Sequence, residues 1–209
     1  MTLTGRLRFV LAAFVLTCFG AGVPLPPAQA QTAVQPKVYT VELIVFRNLS
    51  GAGGAEDWTA KAAPRGPDTL PQPIVTGRFV QTIAATEFQL NDVATKLQNT
   101  TNYQPIAHFA WQQTASTWGS RAGFSVAKLA GNVPGLSGTI YLESGDYLHL
   151  GMSLNYQTSN PPAGLAATPG TVFNLTESRR VKWRELNYFD HPAFGVVALV
   201  TPVGGTGGR

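Results

Sequence analysis

Three histidines raise the first question of chemistry. His108 sits in YQPIAHFAWQQ, His149 in YLHLGMSLNY, and His191 in RRVKWRELNYFDHPAFG, directly after Asp190. A metal site needs histidines or acids at close, regular spacing, as in HExxH, and none of the three has such a neighbour. No GxSxG elbow is present to supply a serine nucleophile. Asp190 and His191, being adjacent, point to opposite sides of an extended chain and cannot relay a proton directly to one another. Pro192 fixes its own φ and pushes His191 toward extended geometry, Asp190 can accept backbone N–H bonds in a turn, and Gly195 lets the chain re-enter a sheet. The expectation is a structural corner containing Tyr188, Asp190, His191, Pro192 and Gly195, with no catalytic residue, no metal and no cofactor.

Just before that corner, Arg179, Arg180, Lys182 and Arg184 place four cations within six residues, with Trp183 among them. Read as a strand, the run puts Arg180, Lys182 and Arg184 on one face and Arg179, Val181 and Trp183 on the other. Such a row is either a solvated face with snorkelling side chains or a binding face whose arginines hold carboxylates bidentately. Exposed aromatic rings offer a second chemistry, stacking on the apolar faces of sugars. Trp58, Trp111, Trp118, Tyr147 and Tyr156 are the candidates, each against the alternative of a core or loop anchor.

The elements that must position these residues are mostly strands. VYTVELIVFRN is apolar on both faces and reads as a central strand. Residues 49–75 gather glycines and prolines around Trp58 and read as a long irregular loop. Phe88, Leu90, Val93, Ala94 and Leu97 recur at helical spacing, predicting one short helix over 90–99 with Asn91 as its N-cap. YQPIAHFAWQQ resumes strand character, with Ile106, His108, Ala110 and Gln112 on one face and Ala107, Phe109 and Trp111 on the other. Residues 139–143 and 146–157 alternate around Ser144-Gly145 and predict a hairpin. A loop at 159–170 leads to a strand at 171–183, and FGVVALVTPV supplies the last strand. About six strands and one or few helices predict an α+β domain, mainly antiparallel sheet, with a ferredoxin-like arrangement as one option.

Composition narrows the partners. At 209 residues the length fits one domain. Residues 1–30 run from Arg6 and Arg8 through FVLAAFVLTCFGAGV to small residues at Ala28 and Ala30, the order of a cleavable secretory signal, which leaves 31–203 as the domain and 204–209 as a disordered tail. The apolar run is too short and too broken for a stable membrane span. Cys18 opens a lipoprotein alternative, although Thr17 stands where a small residue is wanted. Removal of the segment leaves no cysteine, hence no disulfide and no thiolate metal site. It also reduces the 15 Lys and Arg to 13 against 11 acids. A balance of +2 is no nucleic-acid signature.

YTVELIVFRN, YQPIAHFAWQQ, YLHLGMSLNY and SRRVKWRELNYFDHPAFGVVALVTP together, in this order, resemble the CsiV family of periplasmic peptidoglycan-binding proteins. The resemblance spans roughly residues 38–203. Its most specific part is the basic run followed by Glu185, Leu186, Tyr188, Asp190, His191, Pro192, Phe194 and Gly195, which fit the family pattern residue by residue. Asp146 stands before Tyr147 where the family usually carries arginine, and the 49–75 loop has no clear counterpart. The resemblance implies a non-enzymatic periplasmic protein that binds peptidoglycan and supports a lipoprotein activator of a bifunctional penicillin-binding protein. The alternating cationic row then makes Arg180, Lys182, Trp183 and Arg184 the candidate ligand-binding residues, the cations contacting carboxylates of stem peptides or an acidic partner surface, and Glu185 joins the corner. Two alternatives stand beside this reading: an envelope adaptor that binds only proteins, and a wall hydrolase using some combination of His108, His149 and His191.

Overall fold

A strand that is apolar on both faces needs cover on both, and β1 (Val38–Asn48) occupies such a place in the computed structural model, which describes residues 37–50, 79–130 and 133–204. It pairs antiparallel with β3 (Tyr103–Thr114) on one side and with β10 (Phe194–Pro202) on the other. With β2 (Phe79–Thr82) and β9 (Leu186–His191) at the edges, the first sheet runs β2-β3-β1-β10-β9. A second sheet runs β4 (Ser116–Thr117), β6 (Leu136–Ser144), β7 (Leu148–Gln157), β8 (Val172–Arg180), and β5 (Gly123–Ser125) also pairs with β6. The β4–β6 pair is parallel and the other strand pairs are antiparallel.

The two sheets share one core. Val41, Leu43 and Val45 of β1, Phe109 and Trp111 of β3, and Val196, Ala198 and Val200 of β10 lie in one cluster with Ile140, Leu142, Leu150, Met152, Leu154 and Phe173 of the second sheet. Burying each of the larger side chains contributes about 1.5–3 kcal/mol. A five-residue helix, α2 (Val126–Ala130), adds Val126 and Leu129 to this core. The other face of the first sheet is covered by α1 (Asn91–Gln98), where Ile44 and Leu199 meet Leu90, Val93 and Leu97.

The α+β class with mainly antiparallel sheet and few helices is as the sequence led us to expect. The described residues contain ten strands in two face-to-face sheets, however, not about six strands in the single-sheet ferredoxin-like arrangement. β2, β4 and β5 span four, two and three residues, too few for a period-2 pattern to register. Other boundaries moved for local reasons. Asn91 is the first helical residue and Leu90 the N-cap, with no side-chain cap of its own; a carboxylate from β1 serves the helix instead. The hairpin turn is Gly145-Asp146-Tyr147, tied by the Gly145 N–H to the Tyr147 carbonyl at 3.1 Å. The strand expected to reach 183 ends at Arg180. The signal segment with Cys18, most of the 49–75 loop including Trp58, and the tail from 205 lie outside the described residues.

Candidate ligand-binding site

The cationic run does not form one strand face. Arg180 closes β8, and residues 181–185 carry the chain across from the second sheet to the first. Val181 turns into the core and donates its N–H to the Leu148 carbonyl at 2.9 Å. Arg184 adopts φ +58°, a left-handed bend that an arginine rarely takes, and its N–H donates to the Val200 carbonyl at 3.0 Å. The alternation expected of Arg180, Lys182 and Arg184 therefore fails because crossing between sheets requires a bend.

The cations also differ in their partners. Arg179 donates to Glu177 Oε1 through Nε at 2.7 Å and through its terminal nitrogen as well. Lys182 Nζ lies 3.6 Å from Glu185 Oε2, both exposed. Arg180 and Arg184 have no acidic partner among the described residues. The Arg180 guanidinium instead lies 3.5 Å from the centre of the Tyr147 ring, and Lys37 Nζ lies 3.6 Å from the centre of the Trp183 indole.

Strand register gathers these groups at one end of the sandwich. Tyr39 pairs with Pro202 and Val38 with Thr114, so β1 begins where β10 and β3 end. Ser144 pairs with Leu148, and His149 with Arg180, so the 145–147 turn and the end of β8 are neighbours. Trp118 joins them because β4 follows β3 directly. Its N–H donates to the Ser144 carbonyl at 3.2 Å, and its ring lies 4.0 Å from that of His149. Glu143, only 2 % exposed, accepts the Arg121 N–H and so fixes the segment after Trp118. Of the aromatic candidates, Trp118 and Tyr147 are exposed, whereas Trp111 and Tyr156 are core residues.

The Asp190-His191 pair lies at the opposite end. Gly195 pairs with Asp190 and Phe194 with His191, leaving Pro192-Ala193 as a two-residue hairpin turn. The Asn48 side-chain amide donates to the His191 and Pro192 carbonyls at 3.1 and 2.8 Å, and its backbone N–H to the Ala193 carbonyl at 2.9 Å. The Ala193 N–H donates to His191 Nδ1 at 3.1 Å, so that nitrogen is unprotonated. The His191 ring is buried against Phe173 and Phe194. Asp190 faces outward and accepts from the Tyr188 hydroxyl at 2.8 Å; it is Asn48 and His191 that hold the turn. Burial, aided by this bond to Asp190, raises the Tyr188 pKa and keeps its hydroxyl protonated. Glu185 stands at the other end of β9, beside Lys182.

The three histidines are not brought together. His149 is on the outer face of the second sheet, and His191 is in the core. His108 is on the helix side of the first sheet, its Nε2 donating to Glu42 Oε1 at 2.7 Å. Glu42, 1 % exposed, also accepts the Gln89 and Leu90 N–H groups at 2.8 Å each, the orphan donors ahead of α1. Among the described residues no three of His, Cys, Asp and Glu are placed to hold a metal ion. Sequence reasoning passed over Glu42 and Asn48. An acid inside the otherwise apolar TVELIVF was a signal that it meets fixed donors. An open groove of about 410 Å³ between residues 133–137 and Asn155, Gln157 and Val172 has no charged lining residue.

Two mainly antiparallel sheets carrying exposed rings and cations at one end are the framework of a small binding domain. The chain belongs to the CsiV family, described as "Peptidoglycan-binding protein, CsiV", whose pattern it matches over residues 10–203. No curated protein and no solved structure gives a significant match. Among the described residues no helix is long and apolar enough to cross a membrane.

Proposed function

We propose that the chain is a non-enzymatic periplasmic protein, exported by residues 1–30, that binds peptidoglycan and supports wall synthesis through a lipoprotein activator of a bifunctional penicillin-binding protein. Its wall contacts are made by Arg180, Lys182, Trp183 and Arg184, whose cations hold carboxylates of the stem peptides. The observation that carries this reading, beside family membership, is that Arg180 and Arg184 lie at a surface with exposed rings and without an acidic partner among the described residues. The Lys182–Glu185 pair is exposed and worth at most about 1 kcal/mol, so a ligand carboxylate can replace Glu185. Asp190, His191 and Tyr188 serve the far hairpin.

Co-sedimentation of the purified protein with wall sacculi at low and moderate salt tests this. Salt-sensitive pelleting that is lost when Arg180, Lys182 and Arg184 are all replaced by Gln is the expected result. Unchanged pelleting of the folded triple variant overturns the assignment of the cations.

A protein-only envelope adaptor is the second reading. It is favoured by the edge strand β9, where Leu186 and Tyr188 are 59 % and 43 % exposed. Such an adaptor stays in the supernatant at every salt concentration.

A further inference from the structure

Arg180 and His149 are cross-strand partners, so their side chains stand side by side on the outer face of the second sheet. Tyr147 lies beneath the Arg180 guanidinium and Trp118 packs against the His149 ring. Four residues from three separate stretches thus make one continuous surface. Trp118 and Tyr147 are 54 % and 51 % exposed, so with one indole face against His149 the other is turned to solvent.

Each group is left with a free function. A guanidinium stacked on a ring uses only its face, and its in-plane N–H fork remains available for bidentate bonds. Stacking also restricts the side chain, so less freedom is lost when a carboxylate binds. His149 Nδ1 lies 3.2 Å from the Tyr147 carbonyl, which can only accept, so the proton is on Nδ1 and Nε2 is an open acceptor.

We propose that Trp118, His149, Tyr147 and Arg180 form a single subsite for an amino-sugar unit that carries a carboxylate on a short peptide arm. The sugar ring stacks on the free face of Trp118, His149 Nε2 accepts a hydroxyl or amide hydrogen, and Arg180 takes the carboxylate. Resting on the wall-binding reading, the inference narrows it: glycan and peptide are read together, and neither suffices alone.

The test is a titration of the purified protein with a soluble disaccharide-tetrapeptide, followed by heat and tryptophan fluorescence, beside chitotetraose and the free tetrapeptide. Trp118→Ala, Arg180→Gln and Arg180→Lys are compared with Lys96→Gln, which removes an exposed cation on α1 away from the site, each first checked for an unchanged melting profile. The glycopeptide is expected to bind at least about tenfold more tightly than either half. Each Trp118 or Arg180 variant should weaken it about tenfold, the lysine included because it lacks the fork, and Lys96→Gln should leave it within about twofold. Equal binding of chitotetraose or of the free peptide, indifference to Trp118→Ala and Arg180→Gln, or no binding at all overturns the subsite. Sacculus pelleting run in parallel separates the two readings. Wild type and variants that pellet equally remove the subsite but leave wall binding, whereas a wild type that never pellets removes wall binding while the titration still decides the subsite.

Discussion

His191 shows how a titratable residue can serve a turn. Its Nδ1 must stay unprotonated to accept from Ala193, and burial pulls its pKa below the usual histidine value despite the opposing pull of Asp190. A depressed folded-state pKa means that the unfolded chain takes the proton first as pH falls through about 6.5. Stability is thus fully present above that pH and declines below it, toward the folded-state value. Melting temperatures between pH 7.5 and 5 should fall more steeply for the wild type than for His191→Asn, which keeps an acceptor that does not titrate. His191→Ala should cost about 1–3 kcal/mol in chemical denaturation while leaving sacculus pelleting unchanged. A stable variant that no longer pellets would overturn the assignment of His191 to the turn.

At the scale of elements, α1 is held by a charge that it does not contain. Glu42 reaches from the sheet to the two N–H groups ahead of the helix and to His108. Glu42→Ala leaves those buried donors without an acceptor and should cost about 3 kcal/mol, with amide exchange in 91–98 accelerating before that of the sheets. Glu42→Gln keeps one acceptor oxygen and should cost less. Gly151 fixes the middle of the second sheet in another way, since a Cβ there would lie 2.1–2.4 Å from the Tyr141 ring that crosses it. Gly151→Ala must displace that ring and should lower stability by about 1–3 kcal/mol. Helical spacing made α1 legible in the sequence, but Asn91 as its cap was the wrong inference because the capping acid lies 49 residues upstream.

Across the whole molecule, RRVKWRELNYFDHPAFG spans the sandwich from end to end. Its cations lie where β1 begins, its Asp-His pair lies where β1 ends, and β9 separates them by about 20 Å at 3.3 Å per residue. Arg180→Gln and His191→Asn share no partner across that span. Their stability effects should therefore add to within about 0.5 kcal/mol, and only the first should change ligand binding. A measured coupling above that value would mean that the two ends communicate through β9 or the core.

Continuous apolar, β-branched runs in TVELIVF and VVALV and alternating ones in IAHFAWQ and YLHLGMSLNY were enough to specify strands, because burial of both faces or of one is a local demand on residue type and period. The basic run and the Asp-His-Pro-x-Phe-Gly stretch were likewise legible, as residue types that mark a surface and a turn. What only the tertiary structure decided was which groups meet. Glu42 was paired with a helix from another part of the chain, Asn48 with a turn near the C-terminus, Trp118 with His149, and Arg180 with Tyr147. Cross-strand register and the stacking of two sheets bring together residues that are distant in the chain, and no local periodicity encodes that distance.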